Sequence, residues 1–252
     1  MIDTNAYLSR WPFRRLAGDE PADFVARMRN AGVTQAWVAS FDGLLHRDIG
    51  GVNARLSADC KRYGEGLLAP FGTVNPKLPD WPEDLRRCRE VFRMPGIRLH
   101  PNYHGYTLED PVFAEVLRRA TQAGLMVQLA VQMEDERTQH PLLRIPKVSL
   151  DPLAGIAGRT PGLRMVVLNC GREPLRKRIT AAGNILFDIA MVEGIAGIAA
   201  LAAELPPQSV VFGSYFPFYN FQSAALKIRE SGLSAGVEKA ITEDNAQRLF
   251  RA

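Results

Sequence analysis

Three side chains of types that carry acid–base chemistry stand at or just beyond the ends of short β-rich segments. They are His100, Asp188 and Tyr215. An imidazole titrates near neutral pH, a buried carboxyl group can act as a base of raised pKa, and a phenol can donate to a developing oxyanion. We predict these three as catalytic residues. A structural interpretation stays open for each residue. His100 could be a hydrogen-bonded interior histidine, Asp188 could belong to an internal ion pair, and the ring of Tyr215 could simply fill space.

Eight more residues near the same segment ends are predicted to contact a substrate: Asn5, Tyr7, Arg98, Tyr103, His104, Gln132, Glu134 and Asn169. Arg98 has two interpretations. Its planar guanidinium could hold a substrate carboxylate by two hydrogen bonds, or it could form an internal ion pair with Asp3 or Asp188. Four of the eight belong to loops that follow the fourth and fifth segments, and loops in such places often carry specificity.

Eight β-rich segments alternate with helical patterns along the whole chain. The predicted strands are residues 2–7, 34–39, 67–74, 96–100, 125–131, 164–169, 184–189 and 209–213. Apolar residues at helical spacing and stop signals such as Gly32 and Gly124 fill most of the gaps. Eight such alternations without a break in composition predict one α/β domain over residues 1–252, a single (β/α)8 TIM barrel. A doubly wound sheet is the alternative.

Alternation within these strands predicts which side chains face the barrel axis, because residues two apart share a face. One face carries a polar set: Asp3, Asn5, Tyr7, Arg98, His100, Gln128, Gln132, Asn169, Asp188 and Tyr215. The other face is apolar: Ile2, Ile97, Leu99, Val127, Leu129, Leu168, Phe187 and Ile189. Active sites of such barrels lie at the C-terminal ends of the strands. We therefore expect the polar face to surround one axial ligand cavity.

Several sequence motifs follow one another in an order typical of one family. They are IDTNAY (2–7), GIRLHP (96–101), GLMVQLA (124–130), MVVLNCG (165–171), VVFGSYFP (210–217) and EDNAQRLF (243–250). Together they resemble the first, fourth, fifth, sixth and last strands and the closing helix of the amidohydrolase-related family, metal-dependent hydrolases on a TIM barrel. The resemblance covers nearly the whole chain and implies the same barrel. It implies less about activity, because function resides in sites and not in folds.

The resemblance places the family's metal ligands and catalytic aspartate on positions that hold unsuitable residues here: Asn5, Tyr7, Ala130, Asn169 and Tyr215. Amides and phenols are poor zinc ligands, and a hydrolytic site needs about three His, Asp, Glu or Cys ligands. We therefore predict no metal and no other cofactor. A new site from His100, His104 and Asp188, or one that uses His140, stays open, since the turn between the first two does not establish helical spacing.

Composition and charge argue against several classes of protein. The chain is 46% hydrophobic and 23% charged, and its apolar runs are too short to cross a membrane. Its net charge of +4 is dispersed and no recognition motif accompanies it, so we expect neither a nucleic-acid nor a membrane partner. The 3 cysteines are widely spaced and no apolar leader is visible, which indicates reduced thiols and a cytoplasmic protein. A homo-oligomer stays open.

Two functions are consistent with these residues. The first is a hydrolase or lyase that acts without a metal on a small, anionic organic molecule, with Arg98 and Asn5 orienting it and His100 or Asp188 moving protons. The second is a catalytically inactive barrel that binds a ligand or a partner subunit. The family resemblance favours the hydrolase, while the missing ligands argue against the family's metal mechanism.

Overall fold

The computed structural model of the protein describes residues 1–171 and 176–251, which form a (β/α)8 barrel. Its eight strands are parallel, and they follow one another around the sheet in chain order. The strands are β1 (Ile2–Leu8), β2 (Gln35–Ser40), β3 (Leu68–Thr73), β4 (Gly96–Leu99), β5 (Met126–Ala130), β6 (Arg164–Leu168), β7 (Asn184–Asp188) and β8 (Val210–Val211). Every predicted strand is present.

Backbone hydrogen bonds between β1 and the segment after β8 close the barrel. The amide of Thr4 donates to the carbonyl of Phe212 at 2.9 Å, and the amide of Tyr215 donates to the carbonyl of Asn5 at 2.7 Å. These bonds continue the sheet beyond the two residues of β8. The TIM barrel is therefore confirmed over the doubly wound alternative, in which the first and last strands would not meet.

Helices cover the outside of the sheet. They are α1 (Pro21–Asn30), α2 (Ile49–Tyr63), α3 (Trp81–Glu90), α4 (Pro101–His104), α5 (Pro111–Gln122), α6 (Leu153–Gly158), α7 (Arg176–Ala181), α8 (Gly197–Glu204), α9 (Phe221–Arg229), α10 (Ala235–Lys239) and α11 (Asn245–Arg251). Short 3-10 turns occupy Phe41–Leu44 and Pro207–Ser209. In the described ranges, none of the helices has the length and apolar character needed to cross a membrane.

The helical pattern at the end of the sequence predicts one closing helix over residues 237–250, but the structure interrupts it. A π-helical segment, Ala240–Asp244, separates α10 from α11. The carbonyl of Ile241 accepts a hydrogen bond from the amide of Phe212 at 2.8 Å. This bond connects the π-helical segment to the residue that follows β8, so a tertiary contact overrides the regular helical pattern.

Two apolar layers hold the strands in place. The outer layer packs residues such as Ile97, Val127 and Phe187 against the helices. The inner layer fills the N-terminal part of the barrel: Ile2, Trp37, Phe71, Met126, Val166, Leu168, Leu186, Val211 and Leu249. The predicted outward faces of Ile2 and Leu168 are therefore wrong. The register of β1 shifts between Asp3 and Ala6, and the left-handed backbone of Asn169 interrupts the alternation after Leu168.

Candidate active site at the C-terminal ends of the strands

A buried hydrogen-bond network joins the ends of β1, β6 and β7. The amide nitrogen Nδ2 of Asn5 donates to Asn169 Oδ1 and to Asp188 Oδ2, each at 2.7 Å. The backbone amide of Asn169 donates to Asp188 Oδ1 at 2.9 Å. Asn169 reaches this position with a φ of 56°, a left-handed conformation that asparagine tolerates better than most residues. The structure thus brings together three residues that the sequence predicts to be in the site.

Burial sets the protonation of the two axial carboxyl groups. Removal from water raises the pKa of Asp188 to about 7 and that of Asp3 to about 6. Hydrogen bonds from Ser214, at 2.9 Å from its amide and 2.5 Å from its hydroxyl, partly offset this shift at Asp3. Asp188 can therefore hold or release a proton near neutral pH, which is what an acid–base catalyst requires.

Arg98 is a fully buried cation whose hydrogen bonds go to neutral acceptors. Its Nε donates to Gln128 Oε1 at 2.7 Å, its Nη1 to the carbonyl of Ala6 at 2.9 Å, and its Nη2 to the carbonyl of Trp37 at 3.1 Å. The guanidinium carbon lies 4.4 Å from the centre of the Tyr7 ring, a cation–π contact. Neutral acceptors thus take the place of the predicted ion pair, and the guanidinium ties β4 to β1, β2 and β5.

His100 and His104 flank a single helical turn that follows β4. His100 Nε2 lies 3.0 Å from Tyr7 Oη, and His104 Nε2 lies 2.9 Å from the carbonyl oxygen of Gly43. Burial lowers the pKa of His100 well below its usual value and that of His104 to about 4. Both imidazoles are therefore neutral at pH 7. The predicted loop between them is instead helix α4, in which the amide of His104 donates to the carbonyl of His100 at 3.0 Å.

An aromatic layer covers the C-terminal end of the barrel. The ring of Tyr7 stacks on Phe41 with centres 4.5 Å apart, and the ring of Tyr215 stacks on Phe218 at 4.9 Å. The hydroxyl of Tyr215, a predicted catalytic group, donates to the carbonyl of Met133 at 2.5 Å. The layer comprises Tyr7, Trp11, Ala39, Phe41, Leu44, Ala130, Met133, Ala190, Met191 and Tyr215, with Leu16, Tyr103, Phe218 and Tyr219 packed against it.

Tyr103 and Glu134, two predicted substrate-binding residues, lie at this layer with different environments. Tyr103 is half-buried, whereas Glu134 is 4% exposed. Burial raises the pKa of both side chains, and the charge of Glu134 raises that of Tyr103 further. The charge of Glu134 therefore acts on the phenol of Tyr103.

A cavity of about 450 Å³ opens on the same face of the barrel. Gln132, a predicted substrate-binding residue, lines it together with Asp135, Glu136, Arg137, Lys147, Met191, Glu193 and Tyr219. The carbonyl oxygen of Gln132 accepts from Asn169 Nδ2 at 2.9 Å. The wall of the cavity is therefore connected through Asn169 to Asn5 and Asp188, and its volume suits a small ligand.

Sequence reasoning missed several residues that organise this region. Ser214 and Met133 act through hydrogen bonds with Asp3 and with Tyr215 Oη, respectively. Trp11 belongs to the loop after β1 and joins the aromatic layer. Only Ser214 lay in a motif singled out from the sequence, and nothing in the residue type of Met133 reveals that its backbone carbonyl is the acceptor.

The residues at the family's ligand positions do not fit a metal ion. Asn5 uses its amide N–H groups to bond Asn169 and Asp188, so these side chains satisfy one another rather than present free lone pairs to an ion. Ala130 has no ligand atom, and Tyr215 is bonded to a backbone carbonyl. Across residues 1–171 and 176–251, no group of three or more His, Cys, Asp or Glu side chains is placed to hold a metal. The side chains at the five ligand positions are thus engaged with other groups of the protein, or lack a ligand atom.

Known structures of the same fold include two decarboxylases. One is a 2,6-dihydroxybenzoate decarboxylase complexed with 2,6-dihydroxybenzoate, at 14% identity and a TM-score of 0.73, covering 100% of this chain and 99% of that one. The other is the 5-carboxyvanillate decarboxylase of Sphingomonas paucimobilis, at 16% identity and a TM-score of 0.75, covering 100% and 98%. At these identities the similarity establishes the fold alone.

A third structure of this fold is the 5-carboxyvanillate decarboxylase of Novosphingobium aromaticivorans, complexed with manganese and 4-hydroxy-3-methoxy-5-nitrobenzoic acid. It has 16% identity and a TM-score of 0.69, and the alignment covers 100% of this chain and 96% of that one. A comparison with curated protein sequences finds no match. A sequence profile of the family described as Amidohydrolase matches residues 2–252. With the barrel and the order of its motifs, this match shows that the chain belongs to the amidohydrolase family.

Proposed function

We propose that the protein is a lyase or hydrolase that acts on a small, anionic organic molecule without the metal centre of its family. The observation that carries this proposal is the carboxyl group of Asp188, whose pKa burial raises to about 7. General acids and bases work best when their pKa is near the operating pH. Asp188 ends β7, and catalytic groups of TIM barrels lie at the C-terminal ends of strands.

The substrate class that we assign is small carboxylic acids. Two proteins of the same fold are, by name, decarboxylases of dihydroxybenzoate and carboxyvanillate. The cavity beside Gln132 has a volume of about 450 Å³, which accommodates molecules of this size. Lys147 lines this cavity, and its ammonium group can pair with a substrate carboxylate. Three carboxylates also line the cavity, on Asp135, Glu136 and Glu193, so the support for an acid as the ligand comes from Lys147 and from the decarboxylases of the same fold.

Asp188 would act as the proton donor or acceptor of the reaction. In a decarboxylation, its protonated form gives a proton to the carbon from which CO2 leaves, and the electron pair of the broken C–C bond forms the new C–H bond. In a hydrolysis, its ionised form accepts a proton from the attacking water. His100, held by Tyr7 Oη at 3.0 Å and neutral at pH 7, is the second proton-transfer group of the proposal.

An activity screen with matched variants tests the proposal. Hydroxybenzoic and short aliphatic carboxylic acids would be assayed for CO2 release, and their esters and lactones for hydrolysis, with wild type, Asp188→Asn and Glu109→Gln. Glu109 is an exposed surface carboxylate and serves as the control. We expect the wild type to turn over one of these substrates, and a chelator not to abolish this turnover. Asp188→Asn should lower the turnover by about 100-fold or more, whereas Glu109→Gln should leave it unchanged. Turnover unaffected by Asp188→Asn, or abolished by the chelator, would contradict the proposal.

An inactive ligand-binding barrel is the second candidate function. One observation favours it, which is that the six axial side chains have 0% exposed surface: Asn5, Arg98, His100, Asn169, Asp188 and Tyr215. A substrate reaches these groups only if the aromatic layer above them moves. A thermal-shift screen with the same acids discriminates the two. Ligand binding without turnover, with His100→Ala changing stability alone, favours the inactive barrel.

A further inference from the structure

His100 and His104 place two imidazole rings next to each other beyond the end of β4. Three residues separate them along the chain, and helix α4 turns the chain so that the amide of His104 donates to the carbonyl of His100 at 3.0 Å. Side chains at i and i+4 of a helical turn project from the same face. The centres of the two imidazole rings lie 5.8 Å apart.

One nitrogen of each ring is fixed by a hydrogen bond. His104 Nε2 lies 2.9 Å from the carbonyl oxygen of Gly43, which can only accept, so this nitrogen carries the hydrogen and Nδ1 carries a lone pair. His100 Nε2 lies 3.0 Å from Tyr7 Oη, and Tyr7 Oη can donate onward to Met133 Sδ at 3.6 Å. That arrangement allows His100 Nε2 to donate, which likewise leaves a lone pair on Nδ1.

The two Nδ1 atoms are buried and lack a hydrogen-bond partner among the described residues. His100 is 0% exposed and His104 is 8% exposed, so bulk water does not satisfy them. A buried polar atom without a partner costs about 1–3 kcal/mol. Two such atoms on neighbouring rings call for a shared partner that accepts two lone pairs.

We propose that His100 Nδ1 and His104 Nδ1 together bind one late transition-metal cation such as Co²⁺, Ni²⁺ or Zn²⁺. Imidazole nitrogens are favoured ligands of these ions. With metal–nitrogen distances of about 2.0–2.1 Å, two rings that share an ion have centres roughly 5–6 Å apart, which agrees with the observed separation. Metal-binding histidines usually donate their other N–H to a carbonyl or similar group, as His104 does to Gly43.

This site differs from the metal centre of the family. Asp188, which the sequence hypothesis grouped with the two histidines, is bonded to Asn5 and Asn169 instead. The pair therefore supplies two protein ligands, and water or a ligand atom completes the coordination. An ion on His100 Nδ1 takes the lone pair that proton transfer by His100 would need, so in the metal-bound form Asp188 is the proton-transfer group of the proposed function. The test is separate from that function, because it measures metal binding without any substrate.

Titration of the purified full-length protein with metal alone tests the site. Protein stripped with a chelator would be titrated with Ni²⁺ by calorimetry and with Co²⁺ by visible absorption. We expect one ion per chain, with affinity at least about tenfold lower in His100→Ala and in His104→Ala. The controls are His46→Ala and His140→Ala, which alter the two exposed histidines and should leave affinity unchanged.

A second readout avoids the risk that a buried histidine variant does not fold. In wild-type protein, Zn²⁺ should shift the imidazole ¹⁵N resonances of two of the 4 histidines and leave the other two in place. The absence of stoichiometric binding by wild type would overturn the proposal. So would binding that both His100→Ala and His104→Ala retain, or ¹⁵N shifts confined to His46 and His140.

Discussion

Asn5 Nδ2 and Asp188 Oδ2 lie 2.7 Å apart inside the barrel, so that a neutral amide satisfies a buried carboxyl group. In the family, the resemblance implies that a metal ligand stands at the position of Asn5. A cation would stabilise the ionised carboxylate strongly, whereas an amide does so only in part. The net effect is a carboxyl group whose pKa burial raises to about 7. The hydrogen bonds from Asn5 and Asn169 thus offset only part of the effect of burial on Asp188.

The first prediction concerns the pH dependence of stability. An unfolded aspartate has a pKa of about 3.9, whereas the folded-state pKa of Asp188 is raised to about 7. Between these values the folded chain keeps a proton that the unfolded chain has released. The contribution of Asp188 to the free energy of unfolding therefore falls as pH rises from about 4 to 7, by at most about 1.4 kcal/mol per pH unit.

Asp188→Asn should make this decline shallower, because asparagine does not titrate. Urea unfolding of wild type and variant at pH 5, 6 and 7 measures the difference. The residual slope combines Asp3 and Asp84, whose pKa burial raises to about 6, with His100 and His104, whose lowered pKa acts in the opposite direction. Glu109→Gln, at an exposed position, should keep the wild-type slope. An Asp188→Asn protein with the wild-type slope would show that Asp188 is ionised throughout this range.

The second prediction concerns Gly213, which allows β8 to approach the polar network. A Cβ atom at this position would lie 2.7 Å from Asp188 Oδ2 and 2.9 Å from Asn5 Cβ. Gly213→Ala should therefore destabilise the protein by about 1–3 kcal/mol, the usual cost of overpacking. Urea unfolding measures this loss.

Gly236→Ala is the matched control for that change. Gly236 lies in α10, and a Cβ there has nothing within 4 Å. Alanine should stabilise this helical position by about 0.5–1 kcal/mol, since glycine loses more backbone freedom on folding. Equal effects of the two substitutions would mean that Gly213 is not a close-contact position.

The sequence predicted the barrel because each strand is short, rich in apolar residues and separated from the next by a helical pattern. It could not predict local departures from alternation. Val166 and Leu168 both face inward in regular alternation, and Asn169 joins the polar face because its backbone turns left-handed with a φ of 56°. The π-helical segment Ala240–Asp244 depends on a bond between Ile241 and Phe212, which are distant in sequence.

The sequence also predicted that Asn5, Asn169 and Asp188 lie together, because the C-terminal ends of parallel strands meet at one end of a barrel. It did not predict the hydrogen-bond partners of the other buried site residues. Two hydrogen bonds of Arg98 and the one of His104 go to backbone carbonyls, those of Ala6, Trp37 and Gly43. A carbonyl group belongs to every residue, so residue types carry no signal for such bonds.

The third prediction concerns Arg98, whose donors are held by acceptors on three neighbouring strands. Arg98→Lys keeps the charge but loses the planar group that spans them. We expect a loss of about 2–4 kcal/mol, which corresponds to roughly 4–16 °C in Tm for a chain of this size. Arg118→Lys is the control, because Arg118 is exposed and pairs with Glu115 on the surface. Equal Tm values for Arg98→Lys and wild type would contradict a structural role.

The last prediction concerns Tyr7, which links the aromatic layer to His100. Tyr7→Phe keeps the stacking on Phe41 but removes the hydroxyl 3.0 Å from His100 Nε2. A buried imidazole nitrogen then lacks a partner, so unfolding free energy should fall by about 1–3 kcal/mol. Chemical denaturation would measure the loss, with Tyr63→Phe on the outer layer as a control expected to stay within about 0.5 kcal/mol. Wild-type stability in Tyr7→Phe would show that His100 does not depend on this hydroxyl.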